Sequence, residues 1–462
     1  MRAALLAIAV GLVLADSSVV TLGLPDVLAD FDASPQGVSW VLTGYNLVLA
    51  LAAVPVARRV ARGAARGAAA AGGDVERRAG GRDVASLFAG GLLVFAAASL
   101  VCALAGSLGV LVAARCVQGL GGAAVACAAL PLLVGAVGDR GRATAIWGVA
   151  GAIGAAVGPA VGGALTDALA WQAIFAVQVP VALACLLGSR GVAAPEPEAG
   201  SARPDWPALA SLAFLGAGLT AALFLPVLLL IAGWRHSPLT AAAAVSAMPV
   251  AALFAGAVGR ALDDRARGAA GAILCAGGLA ALGLLPGSSV AWLIAPQVLV
   301  GLGLGLALRA VTDEALRDRT PLALHGGWTI AARHAGVVAA LALLTPIFTA
   351  DLEDQTDRAQ EIVLARILDS PIDPATKLDL GLGLASKLRA TEGEVPDVAP
   401  AFAEVAPENA DRPAFDGLQD TVTDDLDRAA AASFERSFLV AALLAALAAV
   451  PLVAGRGSGT GR

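Results

Sequence analysis

The chain has 462 residues, of which 58% are hydrophobic and 15% are charged, and its formal net charge at pH 7 is −6. Soluble domains carry about 25% charged residues, so this composition excludes a soluble enzyme, a disordered protein and a nucleic-acid-binding protein. Length and hydropathy instead indicate many membrane-spanning helices, each of which needs about 20 apolar residues.

Twelve apolar stretches along the chain are each long enough to cross a bilayer. Helices are the expected form, because open strands would leave unpaired backbone groups in lipid. The predicted spans are residues 3–24, 37–56, 84–105, 107–135, 143–166, 171–188, 207–232, 238–258, 270–286, 290–308, 326–349 and 434–454. The predicted fold class is therefore an all-α integral membrane protein with twelve transmembrane helices.

The positions of the arginines predict the orientation in the membrane. With a cytoplasmic N-terminus, the inner segments hold 20 arginines and the short outer loops hold one, Arg235. Basic residues are retained on the cytoplasmic side, so both termini are predicted to be cytoplasmic. The bias towards Ala, Gly and Arg, with only two lysines, favours a GC-rich bacterial genome and hence a plasma or inner membrane.

A weak internal repeat divides the chain into two six-helix halves. Basic loops follow both span 2 and span 8, which are the second spans of each half. Two such halves suit alternating access around a central site. The predicted domains are 1–188 for the N-terminal half, 189–206 for a cytoplasmic linker, 207–350 for spans 7–11, 351–433 for an insertion, and 434–462 for span 12 and a cytoplasmic tail.

Four stretches carry a family resemblance. Two are the run from Asp16 to Pro25 in span 1 and the run from Gly259 to Gly268 after span 8. The others are Leu111-x-x-x-Arg115-x-x-Gln118-Gly119-x-Gly121-Gly122 in span 4 and Gly154-x-x-x-Gly158-Pro159-x-x-Gly162-Gly163 in span 5. The chain thereby resembles the major facilitator superfamily, and its drug/proton antiporters most closely, over nearly everything except 351–433. The resemblance implies the major facilitator fold and proton-coupled export.

The span 5 motif has a physical meaning of its own. Pro159 lacks a backbone donor and, next to Gly158, invites a kink. Gly154, Gly158 and Gly162 recur every four residues and predict a flat face for close packing with a neighbouring helix. In the resembled family this motif, which ends at Gly163, is the antiporter signature at the interface between the halves. Ordinary tight packing without directional meaning is the alternative.

Charged residues within spans 1 and 4 are candidates for proton coupling. Asp16 lies about 20 Å from the inner end of its span at about 1.5 Å per residue, near mid-membrane or somewhat beyond. A carboxylate there costs about 2.5–3.5 kcal/mol, so we expect Asp16 to face a cavity. Arg115 and Gln118 share one face of span 4, and Asp16 or backbone carbonyls are the expected partners of the guanidinium. The resemblance implies proton coupling or cation binding here. The alternatives are an Asp16 near the outer mouth that only orders span 1 and a structural Arg115.

Three further polar residues, Tyr45, Asn46 and Arg333, are predicted to line the substrate cavity, although a lone polar residue in a span often only joins helices. Arg333, with the adjacent His334, could line an anion-tolerant or pH-sensitive cavity. The alternative is that the pair lies in an inner loop beside Asp313 and Glu314.

The loop after span 8 resembles the inner gating loop of the family at Gly259, Arg260, Asp263 and Arg265. Asp263 could cap a neighbouring helix N-terminus or pair with an arginine in one conformational state only. The counterpart after span 2 departs from this pattern and continues into a Gly/Ala/Arg-rich insertion at 63–83. That first loop is therefore either a gate or merely a positively charged anchor.

The segment 351–433 departs most from the resembled family. It holds 19 acidic and 7 basic residues and lies between spans 11 and 12. We expect span 11 to continue as a helix to Leu368, a second helix over 375–390, a proline-rich loop, and a third helix from Phe415 into span 12. This small extracytoplasmic cap would pass on substrate or bind a partner, or it would simply stabilise the fold.

These observations favour a secondary transporter that exports amphipathic or lipophilic small molecules by proton antiport. The expected partners are the substrate, protons and the lipid bilayer, with no nucleic acid, no metal and no cofactor, because the proton gradient supplies the energy. The alternatives are a lipid or specific-metabolite exporter that uses the insertion, an importing symporter, and a non-transporting receptor or assembly partner that acts through 351–433. An enzyme is not expected, because no catalytic constellation of recognisable spacing occurs.

Overall fold

The computed structural model describes residues 1–69, 74–192, 194, 203–259, 262–390, 398–406 and 412–454. Twelve helices in this part of the chain are long and apolar enough to cross a membrane, which confirms the predicted number of spans. Large apolar side chains such as Leu51, Phe254 and Leu443 point outwards from the bundle. An apolar exterior of this kind suits contact with lipid, as expected of a multi-pass membrane protein.

The N-terminal half contains six spans and one short connecting helix. Its helices are α1 (Arg2–Thr21), α2 (Leu24–Asp30), α3 (Pro35–Ala69), α4 (Asp74–Ala103), α5 (Leu108–Val137), α6 (Arg140–Ala168) and α7 (Gln172–Cys185). Span 1 was predicted to run to residue 24, but α1 ends at Thr21 and the short α2 follows it.

The C-terminal half repeats the six-span arrangement. Its helices are α8 (Trp206–Leu228), α9 (Pro238–Val245), α10 (Ala247–Val258), α11 (Asp264–Gly283), α12 (Val290–Leu316) and α13 (Leu322–Asp369), and then α14 (Pro374–Ala390), α15 (Ala399–Val405), α16 (Arg412–Leu447) and α17 (Ala449–Ala454). Helices α9 and α10 together form span 8, and α16 provides most of span 12.

Local sequence explains where several spans begin. Short polar side chains accept hydrogen bonds from otherwise unpaired amides in the first turn of a helix. Asp139 caps α6 through the Arg142 amide at 2.6 Å, and Asp205 caps α8 through the Ala208 amide at 3.1 Å. Gly138 ends α5 with φ of +77°, a conformation that glycine adopts without strain.

Facing glycines bring the same pair of helices together in both halves. Gly91 of α4 lies against Gly121 of α5, and Gly271 of α11 lies against Gly303 of α12. A side chain at any of these four positions would collide with the opposing helix. Because both halves build this crossing from small residues, the internal repeat is visible in the packing as well as in the chain order.

The acidic insertion forms a helical extension of the bundle. Helix α13 is continuous for 48 residues, and α16 runs for 36 residues into the last span. Phe402 of α15 packs on Phe415 of α16 with ring centroids 5.2 Å apart. A proline-rich loop was expected after α14, but the structure has α15 there, because Pro400 occupies the first turn, where a missing amide costs nothing.

The two ends of the bundle differ in charge. We call the end that carries Met1, the turn at 138–140, the start of α11 and the turn at 317–321 the basic face. The helical extension stands on the opposite face. Among its polar contacts to the bundle, Arg235 donates to Asp427 at 2.9 Å and Trp234 donates to the Asp427 carbonyl at 3.0 Å.

Candidate functional site

Five polar side chains meet inside the N-terminal half, and we call them the polar cluster. Four helices contribute, and the side chains are almost fully shielded from solvent, at 3% exposure or less. The members are Asp16 of α1, Ser99 of α4, Arg115 and Gln118 of α5, and Gln178 of α7. The structure thus brings the predicted residues Asp16, Arg115 and Gln118 together.

The guanidinium of Arg115 is held from several sides. Its Nη1 donates to Asp16 Oδ2 and, at 2.5 Å, to Gln118 Oε1, and its Nε donates to the Val41 carbonyl at 2.9 Å. It also lies over the Tyr45 ring, 4.2 Å from the ring centre. A buried ion pair is tolerated only when further hydrogen bonds and contacts compensate its lost hydration, and this pair has them.

Two side chains that the sequence analysis did not single out complete the polar cluster. Gln178 Nε2 donates to Asp16 Oδ1 at 2.9 Å, and Gln118 Nε2 donates to Gln178 Oε1 at 2.7 Å and to Ser99 Oγ at 2.8 Å. Both carboxylate oxygens of Asp16 therefore accept hydrogen bonds within the cluster. A glutamine in the otherwise apolar span 6 is a signal that could have identified Gln178, whereas Ser99 resembles any small polar residue in a span.

A separate cavity lies between the two halves, and we call it the central cavity. Its volume is about 40 Å³. Sites for drug-sized ligands measure roughly 300–1,000 Å³, so the cavity in this structure is too small to hold such a ligand. The walls come from α1, α3, α6, α8 and α13 and consist of Leu14, Ser17, Ser18, Thr21, Leu42, Asn46, Ala155, Leu219, Thr220, Leu223, Phe224, Arg333, His334 and Val337.

A hydrogen-bonded chain joins the halves across this cavity. His334 Nδ1 lies 2.6 Å from Asn46 Oδ1, and the Asn46 amide nitrogen donates to the Leu42 carbonyl at 2.8 Å. Ser17 Oγ lies 3.2 Å from the same Asn46 oxygen. Since Asn46 Nδ2 is a donor, its Oδ1 is the acceptor, which assigns the proton to His334 Nδ1.

Arg333 lies in the wall of the central cavity and not in an inner loop. Its half-buried side chain makes no hydrogen bond or ion pair to any described residue. The alternative pairing with Asp313 and Glu314 does not occur. Asp313 lies 3.9 Å from Arg309, and Glu314 lies 3.1 Å from Arg265.

Two of the predicted cavity residues are turned away from the cavity. The Tyr45 hydroxyl donates to the Val13 carbonyl at 2.8 Å, and its ring packs on Arg115 inside the N-terminal half. Asp16 was also expected to face a cavity, but it is fully buried in the polar cluster. Each of these residues has a sequence neighbour, Asn46 or Ser17, that does line the cavity.

The span 5 glycines form the close contact between α6 and α1. Side chains at Gly154, Gly158 and Gly162 would collide with Gly11, Ser18 and Val19 of α1, respectively. The next residue, Gly163, lies instead against Pro238 and Ala242 of α9 in the other half. Helix α6, which contains the buried Pro159, therefore packs on α1 along one face and on the C-terminal half at its end.

The loop after span 8 is tied to its own half. Asp263 accepts a hydrogen bond from the Ala266 amide at 2.7 Å and so caps α11, the helix that follows it. Asp264, and not Asp263, makes the ion pairs, with Arg317 and, at 3.2 Å, with Arg267. The hydrogen bond to Asp264 raises the pKa of the Arg317 guanidinium above its ordinary value.

The other predicted residues of this loop are Gly259, Arg260 and Arg265. Arg267 Nε donates to the Gly259 carbonyl at 3.2 Å. Arg265 reaches Glu314 of α12 at 3.1 Å. Arg260 lies outside the described residues.

Contacts between the halves close the molecule at both ends. At the basic face, Arg140 Nη2 donates to the Leu316 carbonyl at 3.2 Å and to the Arg319 carbonyl at 2.5 Å. Gly327 of α13 packs there on Ala53 of α3, while Gly163 meets α9 towards the opposite face. The sequence analysis did not identify Arg140, since it looked like one more arginine in a basic loop.

Comparison with known proteins links this architecture to one family. The Major Facilitator Superfamily profile matches residues 6–326 of the chain. A bacterial homologue of the human lysosomal transporter Spinster, in an inward-facing and unoccupied conformation, aligns with a TM-score of 0.63 over 99% of this chain and 98% of that chain. The two sequences are 14% identical, so this likeness shows the fold alone.

Named relatives match part of the chain. The drug efflux pump JefA of Mycobacterium tuberculosis is 34% identical over 185 residues, 39% of this chain and 33% of that protein. The puromycin resistance protein pur8 of Streptomyces alboniger is 37% identical over a match that covers 39% of this chain and 32% of that protein. The cephamycin export protein CmcT of Amycolatopsis lactamdurans is 34% identical over a match that covers 45% of this chain and 41% of that protein. The chain thus spans about a third to two fifths of the curated relatives it matches.

Proposed function

Because this chain belongs to the Major Facilitator Superfamily, we propose that it is a secondary transporter that exports amphipathic or lipophilic small molecules in exchange for protons. The family and the twelve-span fold agree with the sequence-based predictions. Relatives named for drug efflux, antibiotic resistance and antibiotic export support the direction and the substrate class.

The observation that carries the proposal is the position of α1 between the polar cluster and the central cavity. Asp16 pairs with Arg115 in the cluster, and the next residue, Ser17, lines the cavity. Protonating Asp16 would remove the anion that compensates Arg115. Losing one partner of a buried pair costs about 3–5 kcal/mol, which is enough to favour a different arrangement of α1.

A movement of α1 would reach the cavity through α6. Gly154, Gly158 and Gly162 hold the two helices in backbone contact, and both helices line the cavity. In this proposal, protonation of Asp16 therefore changes the shape of the cavity, because α1 and α6 move together and both line it. The cavity must enlarge to accept a substrate, and breaking the Arg140 contacts at the basic face would open it on that side.

We further propose that the basic face is cytoplasmic, because the segments there hold 20 arginines and the short loops of the opposite face hold one. Protons then enter from the opposite face. Each inward proton supplies about 2.3 kcal/mol per 100 mV of membrane potential, in addition to the pH gradient. No cofactor is needed for this exchange.

The decisive experiment uses everted vesicles with an acidic interior and a pH-quenched dye. Lipophilic anions, lipophilic cations and neutral amphiphiles are added to wild-type vesicles and to Asp16→Asn vesicles, with the exposed Asp167→Asn as the matched control. We expect substrate-triggered dequenching in wild type and in Asp167→Asn and none in Asp16→Asn. Equal dequenching in all three vesicles would contradict proton coupling at Asp16.

One observation favours a second role for the extension. Helix α13 runs without interruption from the cavity residues Arg333 and His334 into the extension. We propose that the extension receives the substrate, a lipid or a specific metabolite among the possibilities, or binds a partner on the opposite face. Deleting 374–411 would then reduce substrate release while binding at the cavity persists. Unchanged transport would leave the extension with a stabilising role.

A further inference from the structure

The polar groups of the central cavity have unequal numbers of partners. Ser18 donates to the Ala15 carbonyl at 2.8 Å, Thr21 to the Ser17 carbonyl at 2.7 Å, and Thr220 to the Gly216 carbonyl at 2.9 Å. These hydroxyl protons are already used within their own helices. The cavity walls therefore offer few free donors besides one charged side chain.

That side chain is Arg333, whose guanidinium carries up to five donors and has no partner among the described residues. Its neighbour His334 adds no donor, because the proton on Nδ1 is bonded to Asn46 and Nε2 is a buried acceptor without a partner among the described residues. An arginine this deep in a span, about 17 Å along α13 at about 1.5 Å per residue, normally finds an anion or carbonyl.

The walls of the central cavity carry positive charge and no negative charge among the described residues. None of the described residues that line the cavity is acidic, and Asp16, the nearest acid along α1, is bonded to Arg115, Gln178 and Gln118 in the polar cluster. The rest of the lining is mostly leucine, with Phe224 and Val337. Such a site presents one positive group on an apolar wall.

The position of Arg333 is fixed by its backbone. Gly216 of α8 packs on the Arg333 carbonyl, and Gly336 packs on Ala213. A side chain at either glycine would separate α8 from α13. The close approach of these two helices keeps Arg333 at the cavity wall.

We propose that the central cavity binds substrates through an anionic group, a carboxylate first of all, held by Arg333, with the apolar body of the substrate on the leucine-rich wall. This inference rests on the proposed transport function and names its substrate class. Arginine is suited to the task, because its planar guanidinium can hold both oxygens of a carboxylate at once.

The test compares three small amphiphiles with one apolar body: naphthylacetate, naphthylacetamide and naphthylmethylamine. Their binding is measured by equilibrium dialysis with the full chain in lipid nanodiscs, and empty nanodiscs correct for partition into lipid. We expect wild type to bind the carboxylate at least about tenfold more tightly than the amide or the amine, since a charge-assisted bidentate hydrogen bond supplies that difference.

Three variants identify the source of the preference. Arg333→Gln should bind the carboxylate and the amide equally, whereas Arg333→Lys should keep a smaller preference, because an ammonium group keeps the charge but cannot hold both carboxylate oxygens as a guanidinium does. Arg309→Gln removes an exposed arginine at the basic face and should behave like wild type. A carboxylate preference that survives in Arg333→Gln, a wild type that prefers the amine, or a wild type that does not bind the carboxylate would overturn the inference.

Transport is measured separately in proteoliposomes with the same compounds and an imposed pH gradient. Gradient-driven uptake of the amide and the amine without preference for the carboxylate would refute the anionic site and leave antiport standing. Preferential binding of the carboxylate without any gradient-driven transport would refute antiport and leave the anionic site standing.

Discussion

The polar cluster and the central cavity use the same kinds of residues in opposite ways. In the cluster, Arg115 is paired with a carboxylate, a glutamine and a carbonyl, and no member is exposed by more than 3%. In the cavity, Arg333 is half-buried and has no described partner. Two arginines in membrane spans can therefore serve different purposes: one that is paired with a carboxylate, although its Nη2 has no partner among the described residues, stabilises its surroundings, and one without any described partner is available to bind.

The largest expected effect is the loss of the buried pair. Arg115→Ala leaves the Asp16 carboxylate buried without its cation, and we expect it to lower the free energy of unfolding by about 3–5 kcal/mol. Thermal unfolding in detergent measures this. The matched control is Arg309→Ala, because Arg309 is 68% exposed and should contribute less than about 1 kcal/mol.

Removing both charges distinguishes the contribution of the ion pair from that of the hydrogen bonds around it. Because no uncompensated charge remains, the double variant Asp16→Leu with Arg115→Met should be less destabilised than Arg115→Ala alone. A double variant that unfolds as readily as the single one would mean that the glutamine network, and not the ion pair, holds the cluster together.

The second-largest loss of stability is expected from disrupting the contact between α1 and α6. Gly154→Val places a side chain against the Gly11 carbonyl, so we expect a loss of about 1–3 kcal/mol and a loss of transport. Gly148→Val lies on the same helix with open space around it and should have a smaller effect, limited to helix propensity. Equal effects of the two substitutions in unfolding and transport assays would show that α6 need not pack closely on α1.

Arg333→Gln is expected not to lower the free energy of unfolding, in contrast to Arg115→Ala. Because its guanidinium has no partner among the described residues, replacing it with a neutral amide should leave the protein as stable or raise the free energy of unfolding by up to about 2 kcal/mol. The preference for the carboxylate over the amide would be lost in the same variant. A melting temperature clearly below that of wild type would indicate that Arg333 is a structural arginine like Arg115.

The smallest expected effect concerns the ion pairs of the basic face. Arg265 is 48% exposed and pairs with Glu314 at 3.1 Å. Arg265→Gln should change the free energy of unfolding by less than about 1 kcal/mol, since exposed pairs are screened by water and salt. A larger loss, unaffected by salt, would show that the loop after span 8 contributes more to the fold than its exposure suggests.

Hydropathy was sufficient to predict the number of spans, because lipid demands long apolar helices. The helix α15 was missed, because Pro400 was interpreted as a loop residue although proline is also favoured in the first turn of a helix. The length of α13 beyond the membrane was foreseen from the amphipathic pattern that follows span 11.

The candidate site was predictable in part. The spacing of Arg115 and Gln118 and the need of a buried arginine for a partner led to Asp16. The direction of single side chains was not predictable, because adjacent residues on a helix point about 100° apart and the rotation of each helix is set by tertiary packing. Tyr45 and Asn46 illustrate this, since one packs on Arg115 and the other lines the cavity.

The capping of α11 shows a similar limit. Asp263 and Asp264 are neighbours of the same type, and either could have made the ion pair. Asp263 became the cap because it is the last residue before the helix and its side chain reaches the Ala266 amide. That choice left Asp264 to pair with Arg317.

In the proposed mechanism, the polar cluster carries the proton while the cavity carries the substrate. This mechanism is tested most directly by measuring naphthylacetate binding in nanodiscs and gradient-driven uptake in proteoliposomes on one variant, Asp16→Asn. We expect Asp16→Asn, which fixes the cluster in its neutral form, still to bind the carboxylate, because Arg333 is unchanged, and to accumulate none of it under a pH gradient. Gradient-driven accumulation at the wild-type level in Asp16→Asn, or loss of binding together with uptake in folded protein, would contradict it.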